Sequence, residues 1–407
     1  MDGTLYRTHE TCLPIFREMC GKYHIPLTKE DENFLLYTTA DSFLRKNAPD
    51  MTADQRAKFG KELSQREIAA VKAHGRLFDG VYDMLITLAR DDIEMAICGM
   101  GSKEYIEAAL DHCGVARYFK AVYHRVEGLT KAQVMKIMLA DMSAASDPCF
   151  MVGDSVNDLI AARENGIPFI GVRYGYGADD ISDADMLVDN AMQLQTAIYK
   201  FLIYSRIECD VYALRKPAVI GINGVDTSGK TTLASELVTY LTHRGIHTIF
   251  ISADDFHNTR AVRSADSSPE AYIKYAFNTS KMFTVIRDLK QNPQKMTVDL
   301  LDLDTDAYTN QKVFDVTDDT VIIVEGVMLF RSPLNELFDY RIFLDITFDE
   351  VLNRARERDV PKYGDAFLQR YIDRYIPAQK LYLNEYNPKE NSQLVIDNND
   401  FLKPVIR

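Results

Sequence analysis

Eight residues, Gly224-Val225-Asp226-Thr227-Ser228-Gly229-Lys230-Thr231, fit the spacing G-x-x-x-x-G-K-[ST]. A loop of this kind turns its backbone N–H groups inward at a helix N-terminus, where they cradle phosphate oxygens. Glycine is needed where a side chain would block that approach. Lys230 is expected to neutralise β/γ-phosphate charge and the Thr231 hydroxyl to hold Mg²⁺, with Thr232 continuing the cradle into the helix. ATP and Mg²⁺ are the cofactors that this chemistry requires.

Two acidic signals follow. Ser252-Ala253-Asp254-Asp255-Phe256-His257 stands at the end of an apolar run, and open parallel sheets bind ligands at the carboxyl ends of their strands. Alternation along a strand lets one of the two aspartates face substrate, and Asp254 is assigned as the base that accepts a hydroxyl proton. A helix cap is the blander reading. Glu325 ends the run TVIIVEG and is expected to serve Mg²⁺. Arg354, Arg356 and Arg358 are spaced by two and four, so they cannot share one helix face. Arg354 and Arg358 are expected over the nucleotide, where a planar bidentate cation suits phosphate.

The first half carries its own acids. Asp154 and Asp158 stand one helical turn apart after Gly153, which suits a hard cation such as Mg²⁺. Lys131 could neutralise a phosphate, and Asp2 lies in the sharp turn MDGTL. Each of these also reads as a cap or a surface charge.

Short apolar runs alternate with helical patterns around these residues. In the first half the runs are 95–98, 121–124, 149–152 and 168–172; in the second they are 219–222, 247–252, 320–326, 340–346 and 394–397. Alternation of this kind predicts an α/β chain with two doubly wound parallel-sheet domains. Residues 14–74 are charged at helical spacing and read as a helical insertion. Leu194, Ile198, Phe201 and Leu202 read as a closing helix. The expected organisation is a domain at 1–205, a linker at 206–216 and a domain at 217–407.

Composition sets limits. The chain has 407 residues, 46% hydrophobic and 26% charged, which is globular. Forty-seven Lys+Arg against 60 Asp+Glu give a net charge of −13, with no basic patch for a nucleic-acid partner. The six cysteines form no C-x-x-C pair and read as reduced, buried thiols. No signal-like start and no run of 18 apolar residues is present, so a soluble cytoplasmic protein with a small-molecule substrate and no membrane partner is expected. A homo-oligomer is compatible with the sequence.

The stretches GINGVDTSGKTTLASEL, SADDFHNTRAVR, VIIVEGVMLFR, RIFLDITFDEVLNRARERD and RYIPAQKLYLNEYNP with VIDN resemble uridine kinase-type P-loop kinases, the group that includes phosphoribulokinase and pantothenate kinase. The resemblance implies that Asp254 is the base, Glu325 serves the metal and Arg358 contacts ATP phosphates. It implies acceptor contacts from His257, Arg260, Arg263 and Asn278. Phe277-Asn278-Thr279-Ser280 stands where relatives active on uridine carry an aspartate–histidine motif, and His257 stands where a tyrosine is common. A nucleoside is the leading acceptor, with pantothenate or a sugar phosphate as the second enzymatic reading. A nucleotide-binding regulatory protein is the third.

GDSVNDLIAARENGIPFIGVRYGYG, with Asp2 and Lys131, resembles the phosphoglycolate phosphatase-like branch of the haloacid dehalogenase superfamily, with a helical cap at about 14–75. The resemblance implies metal binding by Asp2, Asp154 and Asp158 and catalytic roles for Asp2 and Lys131. In that family the motif is D-x-D-G-T. Asp2 matches its second aspartate, the general acid, so the nucleophile and the first strand would precede Met1. Gly99 replaces the expected phosphate-contacting hydroxyl. A start lying upstream and a loss of chemistry are the two explanations. Phosphoaspartate chemistry needs the missing nucleophile. The 407-residue chain is therefore expected to hydrolyse small phosphate esters negligibly in the presence of Mg²⁺. Robust hydrolysis that Asp154→Ala abolishes would show this reading of the first half to be wrong.

Overall fold

The computed structural model describes residues 1–35, 39–142 and 149–407. It divides into two units, Met1–Phe201 and Leu202–Arg407.

In the first unit a tight turn at residues 1–6 leads into four helices: α1 Thr8–Lys22, α2 Lys29–Leu35, α3 Ala40–Asn47 and α4 Ala53–His74. Thr39 and Thr52 cap α3 and α4, and Gln55 answers Thr52 in a capping box. Phe16, Met19, Phe43, Leu44, Phe59 and Leu63 form the apolar core of this helical region. It begins at Thr8, earlier than expected, with Pro14 inside α1.

Helices and short parallel strands then alternate: α5 Val81–Arg90, β1 Ala96–Cys98, α6 Lys103–His112, β2 Ala121–Tyr123, α7 Lys131–Asp141, β3 Met151–Gly153, α8 Val156–Glu164, β4 Phe169–Val172 and β5 Met186–Val188. β1 pairs with β2, while β3, β4 and β5 form a separate sheet in that order. The run expected at 149–152 becomes strand at Met151, and β5 was not anticipated from the sequence. Cys12 and Cys20 are buried as expected, whereas Cys209 is exposed.

The division between the units falls inside a helix, α9 Ala191–Tyr212, so the connector expected at 206–216 is helical as far as Tyr212. Ile203, Tyr204, Ile207 and Val211 continue the helical spacing and are buried. The buried Glu208 carboxylate accepts from the Tyr240 hydroxyl at 2.6 Å and from Arg244 Nε at 2.9 Å.

The second unit runs β6 Ala218–Gly224, α10 Lys230–His243, β7 Thr248–Ser252, α11 Arg260–Arg263, α12 Pro269–Tyr275, α13 Thr279–Gln291, β8 Lys295–Asp302, β9 Ala307–Asp315, β10 Val321–Gly326 and β11 Tyr340–Asp345. After these come α14 Phe348–Arg358, α15 Val360–Tyr363, α16 Ala366–Arg370, α17 Ile376–Tyr386, β12 Leu394–Asp397 and β13 Val405–Ile406. Six strands form one sheet in the order β13-β12-β11-β6-β10-β7, parallel except for β13. Every residue of β6 and β10 is buried, as apolar runs in a sheet covered on both faces must be. β6 lies centrally, with β10 and β7 on one side and β11 and β12 on the other, so a crevice opens at its carboxyl end. β8 and β9 form an antiparallel hairpin that the sequence reading did not anticipate. Among the described residues, no helix is long and apolar enough to cross a membrane.

Glu208→Ala removes the acceptor of one buried and one part-buried bond and leaves Arg244, 20% exposed, without this carboxylate. It should destabilise the second unit by about 2–3 kcal/mol. Chemical denaturation of the full chain tests this, and a loss below about 0.5 kcal/mol would refute it.

Candidate active sites

β6 ends in the phosphate loop, and Lys230 opens α10. Gly229 takes φ +93°, and a Cβ there would stand 2.8 Å from Asn398 Nδ2, so a side chain is excluded on both counts. The first N–H groups of α10 have no partner within the helix. Three tethers hold the loop from outside. Gln379 of α17 accepts from Asp226 N at 3.0 Å and donates to Asp226 Oδ2 at 2.6 Å. Arg354 Nη1 donates to the Thr227 carbonyl at 3.2 Å, and Asn398 Nδ2 to the Ser228 carbonyl at 2.7 Å.

Lys230 is buried, with Nζ donating to the Val225 carbonyl at 2.7 Å. Burial pushes its pKa down, while Asp226, Glu325 and Asp254 pull it up. Those three acids therefore lie within electrostatic reach of the lysine. Glu325 accepts from Ser252 Oγ at 2.6 Å, and the Thr231 hydroxyl also bonds to it. Burial raises the Glu325 pKa, with Lys230 and Ser252 opposing. The Thr231 and Glu325 oxygens fit the hard-donor preference of Mg²⁺. Beside the loop lies a cavity of about 520 Å³. Thr227, Gly229, Lys230, Thr231 and Thr232 of the loop and helix start line it together with Glu350, Arg354, Glu357, Arg358 and Phe401. Helix N–H groups, a lysine and two arginines around one cavity fit a triphosphate. Arg358 also bonds Asp359 and the Tyr371 hydroxyl, and Asp359 is the main cause of its raised pKa.

Asp254 and Asp255 lie in a 3₁₀ turn, Ala253–Phe256, so strand alternation does not separate them. Their pairing does. Asp255 is bound by Lys312 of β9 at 2.5 Å, whereas Asp254 is exposed and within electrostatic reach of Lys230, Asp226 and Glu325. Of the expected acceptor contacts, His257 stays beside Asp254, its Nδ1 2.6 Å from the Asp254 carbonyl. The others are engaged differently. Arg260 bonds the Leu303 carbonyl and Arg263 pairs with Asp306, both at the β8–β9 turn, while Asn278 caps α13. Gln379, Asn398 and Phe401 were missed. The first two stand in RYIPAQKLYLNEYNP and VIDN, where the resemblance marked the stretch and gave them no role.

In the first unit Lys131 and Asp158 form a buried ion pair. Asp158 Oδ2 also accepts from Ser155 Oγ at 2.7 Å and from Asp154 N at 3.2 Å. Burial opposes its ionisation, but Lys131 and the amino terminus outweigh this and hold its pKa low. Asp154 accepts from Thr4 Oγ1 at 3.0 Å and Tyr176 N at 3.0 Å, and burial followed by Asp158 raises its pKa. Gly3, at φ +67°, passes so close that a Cβ would lie 1.9 Å from Asp154 Oδ2. Asp2 accepts from Tyr105 OH at 2.9 Å and from Thr8 Oγ1. Among the described residues, no three His, Cys, Asp or Glu side chains are grouped to hold a metal. Of the residues expected to hold Mg²⁺, Asp158 bonds Lys131 and Ser155, Asp154 bonds Thr4 and Tyr176 N, and Asp2 bonds Tyr105 and Thr8. Ser102, the hydroxyl nearest in sequence to Gly99, caps α6.

Asp158→Asn leaves Lys131 buried without its counter-charge and should cost about 3–5 kcal/mol. Asp154→Asn relieves a like-charge contact and should change stability by less than about 1 kcal/mol. Because the Asp158 pKa is depressed, its contribution is present above about pH 4 and fades as pH falls through the folded value. Denaturation of the two variants across pH tests the ranking, and equal losses would refute it.

Two family models match the chain, haloacid dehalogenase-like hydrolase at residues 1–172 and phosphoribulokinase/uridine kinase family at residues 219–388. A uridine kinase of Leuconostoc citreum (strain KM20) is 31% identical over 176 residues, which is 42% of this chain and 81% of that protein. A 5'-nucleotidase of Pseudomonas aeruginosa is 30% identical over 108 residues, 26% of this chain and 49% of that protein. A phosphoglycolate phosphatase of Agrobacterium fabrum is 28% identical over 142 residues, covering 33% of this chain and 60% of its own length. The chain spans about half and three-fifths of these last two relatives. With its phosphate loop and buried lysine, the chain belongs to the phosphoribulokinase/uridine kinase family through residues 219–388, and its residues 1–172 are similar to haloacid dehalogenase-like hydrolases.

Proposed function

We propose that the second unit transfers the γ-phosphoryl group of ATP to a hydroxyl of a small molecule, with a nucleoside of the uridine type as the leading acceptor. The observation that carries this is the gathering of Lys230, Asp254 and Glu325 around one phosphate loop. The acceptor oxygen forms a bond to the γ-phosphorus, the bond from phosphorus to the β–γ bridging oxygen breaks, and ADP leaves with that electron pair. Asp254 receives the proton of the acceptor hydroxyl. Lys230 and Arg358 offset charge on the transferring group, and the first N–H groups of α10 fix its oxygens. Thr231 and Glu325 are the groups that would hold Mg²⁺, which supplies further charge neutralisation when bound.

The name of the uridine kinase relative supports a nucleoside acceptor, and His257 stands beside Asp254. The lysine–acid grouping favours transfer over a purely regulatory nucleotide site. For the first unit we propose phosphate-ester binding with impaired turnover, on the ground that Asp158 and Lys131 neutralise each other.

Lys230→Ala should lower turnover by about 10²–10³-fold, as does loss of one preorganised electrostatic donor. Asp254→Asn should lower kcat by about 10²–10⁴-fold while ATP still binds. Asp255→Asn should do much less. Coupled ADP-release assays with uridine and other small alcohols measure all three, and near-normal turnover by Lys230→Ala would remove the phosphate-loop assignment.

A further inference from the structure

Asp226 is the one acidic side chain within the phosphate loop Gly224–Thr231, and a carboxylate turned toward a triphosphate would repel it. Its place in the fold avoids this. The cavity beside the loop is lined by its neighbours Thr227, Gly229 and Lys230, and Asp226 is absent from that lining. The carboxylate lies instead within reach of Asp254 and of the tyrosines Tyr272 and Tyr371. Gln379 grips it through the backbone N–H and through Oδ2. Oδ1 has no hydrogen-bond partner among the described residues.

A residue held at its backbone N–H and at Oδ2, with no partner for Oδ1 among the described residues and the proposed base within electrostatic reach, is placed to accept a hydrogen bond from a ligand. An ionised carboxylate accepts and cannot donate, so the group opposite must be a hydroxyl or an amine and not a second anion. We propose that Asp226 Oδ1 holds a second hydroxyl of the acceptor, distinct from the one that is phosphorylated, so that the substrates of this site are diols or polyols uncharged at that end. The proposal rests on the kinase reading above and sharpens it. A neutral polyol such as a ribonucleoside satisfies Asp226, whereas an acceptor presenting phosphate or carboxylate there does not.

The test uses the full chain and Asp226→Asn, whose amide oxygen can still accept from Gln379. With uridine as acceptor, KM should rise about 10- to 100-fold in the variant, the loss expected for a hydrogen bond to a charged group, with a smaller change in kcat. 2'-Deoxyuridine and 3'-deoxyuridine serve as probes. One of them should lose a similar factor with the wild-type chain and lose nothing further with Asp226→Asn. Additive losses with both analogues, or an unchanged KM for uridine, would overturn the proposal. Calorimetric titration with MgATP separates this from the kinase reading. Asp226→Asn should bind MgATP equally or more tightly, since a like charge is removed. Weaker binding would place Asp226 on the nucleotide side and sink the idea even if uridine is not turned over. Tight MgATP binding with no turnover of any alcohol would instead sink the kinase reading.

Discussion

The second unit depends on one constraint. A phosphate loop must keep its inward N–H groups free for ligand while the rest of its polar backbone is satisfied, because unpaired buried backbone groups are costly. Glycine at position 229 makes the turn sterically allowed, but glycine also makes the loop floppy. The outward groups are therefore tied down. Gln379, Arg354 and Asn398 reach the loop from α17, α14 and the segment after β12, across 153, 127 and 170 residues of sequence. These contacts make the loop a product of the whole unit. β6 must be central and α14 and α17 must pack, as Val225, Val351, Ala355, Tyr371 and Ile376 do in one apolar cluster, before the cradle has its shape.

The charges follow from the same arrangement. Lys230 is desolvated at the helix start, which alone would favour its neutral form, and Asp226, Asp254 and Glu325 oppose that loss. Burial raises the pKa values of Asp226 and Glu325, and Lys230 lowers both. A single buried cation among three carboxylates is an environment completed by added positive charge, which suits a nucleotide arriving with Mg²⁺ better than a bare phosphate. Asp255, beside Asp254 in sequence, is withdrawn from this group because Lys312 of the hairpin claims it.

Much of this was legible in the sequence. The phosphate-loop spacing, the long apolar strands and the acids at their ends are local signals, and the five runs expected for the second unit all became parallel strands. Features set by distant partners were hidden. The choice between Asp254 and Asp255 rested on strand alternation, which the 3₁₀ turn cancels; pairing with Lys312 decides it instead. The β8–β9 hairpin is largely exposed on β9, so its sequence lacks the apolar run that marks a core strand. The helix through Tyr212 continues because Glu208 and the apolar residues around it find partners in the second unit, which local spacing could not reveal. Arg260, Arg263 and Asn278 were placed by resemblance, and each meets a neighbour that the motif does not contain: the hairpin turn for the arginines and the start of α13 for the asparagine.

The two units handle buried acids in opposite ways. In the first, Lys131 and Asp158 neutralise each other, while Asp2 and Asp154 are bonded by hydroxyl and N–H donors of the chain itself. A ligand there must displace internal bonds before it gains its own, and a net hydrogen bond contributes only about 1 kcal/mol. In the second unit Gln379, Arg354 and Asn398 tie the loop to the elements around it, while Lys230 Nζ bonds the Val225 carbonyl and Glu325 bonds Ser252. A site whose polar groups are held from behind starts with little reorganisation to do, which is the condition under which fixed dipoles stabilise developing charge most effectively. On that physical ground, the proposed phosphoryl transfer is assigned to the phosphate loop of the second unit.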